Sequence, residues 1–137
     1  MKITYSLISA LLWSALATNG LLVVTVSAPK VAGQKVVVPL AMKNSLDTKI
    51  ESARAVVFLL DLDDKLVGQG TRWVIGGGKD KSGLAAGATN TFHFVITTDK
   101  PISTTNLSAK VSFSRVVIEG GKMADVGKDV QIQQEGK

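Results

Sequence analysis

An all-β, immunoglobulin-like antiparallel sandwich of about seven strands is the fold class this sequence predicts. Three observations carry it. Short runs rich in β-branched and aromatic residues recur along the chain, several alternating apolar and polar with period two. Gly, Pro, Asn and Asp clusters separate them as turn signals. No helical period follows the N-terminal segment, and seven short strands in roughly 120 residues is the sandwich count. A small barrel is the alternative closure. At 137 residues, 45% hydrophobic and 20% charged, the chain is one domain with a real core, or one domain plus a processed end.

The processed end comes first. Met1-Lys2 is a short positive start, Ile3 to Leu16 is mostly apolar, and Ala15-Leu16-Ala17 is a small-x-small site. A secretory signal over residues 1–17, cleaved before Thr18, is expected, with a single β-domain over 18–137. The rival site Val26-Ser27-Ala28 is followed by Pro29 and would destroy the next strand. A membrane anchor from Ile3 to Val26 has the length, but Asn19-Gly20 interrupts it. The protein is therefore expected outside the cell or in the periplasm, without a membrane span once processed.

Leu21 to Ala28 reads as the first strand, ended by Pro29 and an Ala32-Gly33 turn. Lys35 to Lys43 is the second, with Val36, Val38, Leu40 and Met42 on its apolar face. Pro39 cannot donate to a ladder, which suggests an edge or a bulge there. A long hairpin follows: Ile50 to Leu62, the Asp63-Asp64-Lys65 turn, and Leu66 to Ile75, long enough to be the middle of a sheet. From Ala55 to Leu60 every residue is apolar, as in a strand that is central or covered on both sides. Gly76 to Gly83 is a flexible surface loop. In Thr89 to Thr98, Phe92, Phe94 and Ile96 point inward, while Thr91, His93, Val95 and Thr97 point out. The strand from Leu107 alternates until Arg115, where Val116 and Ile118 change parity, so a bulge belongs near Ser114-Arg115. Val126, Val130 and Ile132 form a weaker last strand, and Gln133 to Lys137 a frayed tail.

The stretch Leu21–Ile96 resembles the FxLYD-type module of exported bacterial proteins. The matching pieces are Val57-Phe58-Leu59-Leu60-Asp61, Asp64-Lys65-Leu66-Val67, Leu84-Ala85-Ala86-Gly87 and Phe92-His93-Phe94. Val57, Leu60 and Ala86 depart from the motif's Phe, Tyr and Pro. The resemblance implies the immunoglobulin-like fold and offers no catalytic residues.

The candidate chemistry is thin. Cysteine is absent, which removes disulfides, thiolate metal sites, cysteine nucleophiles and a lipoprotein anchor. Asp61, Asp63 and Asp64 are close in sequence, but Leu66 and Arg72 stand where a calcium loop needs Gly and Glu, so turn chemistry explains them. The Gly76–Gly83 loop lacks the glycines of a phosphate loop, with Ile75 and Asp80 in their places. His93 is the only histidine and has no announced partners. No metal, cofactor or catalytic residue is expected, and an enzyme ranks last among the readings.

Formal charge is +5, or +4 once residues 1–17 are removed, with lysines scattered at strand ends. Without a basic stripe interleaved with aromatics, nucleic acid is not an expected partner. The best candidate binding surface is Arg72 and Trp73 beside the glycine loop with its Lys79 and Lys81. Trp73 shares parity with Val67 and Ile75, however, which assigns it to the core. The expected job is non-enzymatic: a binding or structural module of the cell envelope or exterior. One version binds carbohydrate or cell-wall glycan through the Trp73 and loop surface. The other binds protein, including its own copies, through an edge strand such as Leu21–Ala28 or Val126–Gln133. Asn106-Leu107-Ser108 is a glycosylation sequon, relevant only in a host that glycosylates exported proteins.

Overall fold

In the computed structural model the described residues are 20–77, 82–103 and 106–135. The signal segment 1–17 and its cleavage point, together with Lys79 and Lys81, lie outside them. Nine strands form two sheets that pack face to face, with no helix among the described residues.

The first sheet is built on β3 (Lys35–Asn44). Along one edge β3 pairs antiparallel with β6 (Thr89–Thr97). Along its other edge lie β1 (Leu22–Val26) and then β2 (Lys30–Ala32). Beyond β1 the last strand, β9 (Val130–Gln134), pairs with it in parallel. In the second sheet β4 (Ile50–Leu60) lies between β5 (Leu66–Ile75) and β7 (Ser108–Ile118), and β7 carries β8 (Lys122–Met123).

Period-two alternation holds where the sequence shows it. Val36, Val38, Leu40 and Met42 of β3 and Leu22, Val24 and Val26 of β1 are buried. Phe94 and Ile96 of β6 join them, while Phe92 is half-buried and His93 faces out. From the other sheet come Ala53, Ala55, Val57 and Leu59 of β4, and Val111, Phe113 and Val116 of β7. Burying side chains of this size stabilises by about 1.5–3 kcal/mol each, which makes the interface between the sheets the main source of stability.

Several expectations need correcting. Pro39 marks neither an edge strand nor a bulge in β3. Its missing N–H faces the gap where β1 ends and β2 begins, and its carbonyl accepts from Ser27 N at 3.0 Å. The segment Leu21–Ala28 is not an edge, because β3 and β9 flank β1. β4 is central but covered on one side only: Val56, Phe58 and Leu60 lie half-buried on the outer face. β4 stops at Leu60, leaving Leu62 exposed in the turn.

β5 is an edge rather than the middle of a sheet. Its core-facing positions are Gly68, Gly70 and Arg72, opposite Leu59, Val57 and Ala55. A Cβ on Gly70 would lie 3.2 Å from Phe94 Cε1, so the missing side chain lets β6 approach and close that side of the sandwich. Val126 belongs to a turn in which Asp125 Oδ1 accepts from Gly127 N, and the last strand starts only at Val130. Strands β2 and β8 have no clear sequence signal, and so seven expected strands became nine.

Candidate functional site

The hairpin turn settles the acidic cluster. Asp61 Oδ1 accepts from the amides of Asp63 and Lys65, both at 2.9 Å, and Asp64 adopts a left-handed φ of 61°. The Asp61 carboxylate shapes the turn. Among the described residues no group of three or more His, Asp or Glu side chains is placed to hold a metal ion.

A different constellation assembles on the outer face of the second sheet. Trp73 is 37% exposed, which corrects its assignment to the core. Ala53 pairs with Ile75 and Arg54 with Trp73, so Val74 is an extra residue in β5. That bulge buries Val74 and Ile75 together and turns Trp73 outward. On the other side of β4, Arg54 pairs with Arg115 and Ala55 with Phe113, leaving Ser114 as the extra residue of β7. This is the bulge expected near Ser114-Arg115, and it brings Arg115 to the outer face. Two bulges, one in each neighbour of β4, thus set Trp73, Arg54 and Arg115 in one row across three strands.

Within the row the contacts are specific. The Arg54 guanidinium carbon lies 5.8 Å from the centroid of a Trp73 ring, within cation–π range. Arg54 Nε donates to Ser114 Oγ at 3.2 Å. Gly77, with φ of 81°, packs its backbone against the indole, where a Cβ would come within 2.5 Å of Trp73 Cγ. The backbone of the following loop therefore holds the ring, and the ring helps hold one guanidinium.

The sequence-expected site is only partly assembled. Arg72 does not join Trp73: it lies on the opposite side of β5, and its Nη2 reaches the Val95 carbonyl of β6 at 3.5 Å, a long contact. Arg54 and Arg115 were not among the expected site residues, because nothing local marks two arginines of distant strands as cross-strand partners.

A second concavity, about 390 Å³, lies at the opposite end of the sandwich, between the hairpin turn and the loop after β6. Asp61, Val67, Thr98, Asp99, Lys100 and Pro101 are among its lining residues. Gln34 Nε2 ties that loop down through the Asp99 carbonyl at 2.9 Å. Gly76–Gly77 after β5 and Thr98–Ser103 after β6 therefore lie at opposite ends of the sandwich.

Neither a family model, a curated protein nor a solved structure matches the chain.

Proposed function

We propose that this protein is an exported, immunoglobulin-like module that acts by binding a glycan of the cell envelope or exterior, without chemistry of its own. The binding face is the outer surface of the β5–β4–β7 sheet around Trp73. One observation carries the reading: two separate bulges deliver Trp73 and Arg115 to the same outer row as Arg54. Bulges interrupt ladder pairing and re-aim side chains, and they recur beside binding sites for that reason. An exposed indole with one guanidinium against it and a second one strand farther along the row suits a hydroxyl-rich ligand with polar substituents.

The immunoglobulin-like reading is supported by the strand order. β1, β3 and β6 form one sheet and β5, β4, β7 and β8 the other, with chain crossings between the sheets after β3, β5, β6 and β8. Export rests on residues 1–17.

The test is co-sedimentation of the protein with insoluble envelope polysaccharide from a range of cell walls. Trp73→Ala and Arg115→Gln should both reduce the bound fraction while urea unfolding stays cooperative. Full retention by both variants would refute this face as the binding surface.

A further inference from the structure

Resting on that reading, we infer that the ligand is an acidic glycan, one of whose carboxylates sits between Arg54 and Arg115. The charge arrangement carries this. Of the chain's three arginines, two are direct cross-strand partners. Directly opposite residues have Cβ atoms about 5 Å apart, and like charges placed so destabilise a sheet. Arg54 has stabilising contacts of its own, but cross-strand stability gives no reason for placing Arg115 opposite it. An anion between the two groups removes the repulsion and gains charge-assisted hydrogen bonds from planar donors that match a carboxylate.

The rest of the face is complementary to the same ligand. Lys110 lies farther along β7, exposed and opposite Phe58 on the outer side of β4. The four strands of this sheet contain one carboxylate, Glu51. That carboxylate is engaged at the sheet's end, where its Oε2 accepts from Gly120 N at 3.2 Å. Among strand residues the outer face thus carries Arg54, Arg115 and Lys110 and no acid. Asp125, which follows the Ala124 N to Val116 O bond beside Arg115, is engaged in its own turn, where its Oδ1 accepts from Gly127 N at 3.0 Å. Trp73 has Arg54 and Gly77 against its ring, so it serves chiefly to steady Arg54 and to offer its free edge to the sugar.

The experiment titrates the full protein with polygalacturonate, uncharged dextran and long-chain polyphosphate by calorimetry, at low and at physiological salt. Polygalacturonate should bind, weakening as salt rises, and dextran should not. Arg115→Gln should lower the affinity by about tenfold, the loss expected when one charge-assisted contact is removed. Its unfolding midpoint should be unchanged or higher, because the like-charge pair is relieved. Lys35→Gln, exposed at the start of β3 in the other sheet, controls for net charge and should leave binding intact. Equal losses in Arg115→Gln and Lys35→Gln, tighter binding of polyphosphate than of polygalacturonate, or no polyanion binding at low salt would each overturn the inference. Dextran binding that is lost with Trp73→Ala but kept with Arg115→Gln would overturn it while leaving the glycan-binding face in place.

Discussion

Replacing Asn44 tests how the end of the sandwich beside the β3–β4 connection is held. Asn44 is the one fully buried polar residue among those described. Its Nδ2 donates to the carbonyls of Thr48 at 2.9 Å and Leu84 at 3.0 Å, and its Oδ1 accepts from Leu46 N at 3.0 Å. One side chain thus ties the β3–β4 connection to the segment before β6. Asn44→Ala removes three bonds worth about 1 kcal/mol each, so urea unfolding should report a loss of about 3 kcal/mol. For a domain of this size that is a fall in Tm of roughly 10 °C. Asn44→Asp is more informative because it adds a sign. The new carboxyl faces two carbonyl oxygens in a buried site, which favours its protonated form and raises its folded pKa above the unfolded value of about 3.9. Between those two values the folded state holds the proton and the unfolded state does not. Stability relative to wild type should therefore be greatest below about pH 4 and decline as pH rises towards the folded pKa. A loss under about 1 kcal/mol for Asn44→Ala, or an Asn44→Asp deficit that shrinks as pH rises, would refute the reasoning.

Phe94→Ala should cost about 3–5 kcal/mol by urea unfolding, since the ring is fully buried and packs edge-on to Phe92 at 6.2 Å between centroids. The neighbouring His93→Ala should change stability by less than about 0.5 kcal/mol, and equal losses would place the wrong face inward. Gly70→Val should destabilise by about 1–3 kcal/mol through overpacking against Phe94; a neutral result would mean β6 does not approach β5 this closely. Gly77→Ala should displace the Trp73 ring and shift its fluorescence emission, whereas an unchanged spectrum would mean the loop backbone does not hold it. N-terminal sequencing of exported protein should begin at Thr18, and an intact Met1 would contradict the processing.

The sequence announces the alternating strands because each has a face counted in twos, as in Val36-Val38-Leu40-Met42. Counting fails at insertions, and whether an insertion shows depends on its neighbours. The Ser114 bulge is legible because Phe113 and Val116, both apolar, stand at an odd spacing around polar residues. The Val74 bulge is hidden because Trp73, Val74 and Ile75 are all apolar, so no slip in pattern marks the change of face. The parallel pairing of β1 with β9 and the apposition of Arg54 with Arg115 join segments far apart in sequence, and no local propensity encodes them. Asn44 looks like an ordinary loop residue, since three well-made bonds to backbone leave no trace in composition. Of the three residues in the row, the sequence singles out Trp73 alone, though its parity puts it in the core, and the guanidinium pair is not visible.

The central claim is that Trp73 stands on an exposed, cation-bearing row of the outer sheet face, and ionic quenching of its fluorescence tests this most directly. Of the chain's two tryptophans, Trp13 lies in the segment expected to be cleaved before Thr18, so Trp73 is the sole reporter in the protein from Thr18 onward. Iodide, drawn by Arg54 and Arg115, should quench Trp73 more strongly than caesium at equal ionic strength, and Arg54→Gln with Arg115→Gln should narrow the gap. Quenching by neither ion would return Trp73 to the core, and equal quenching by both would remove the cationic row.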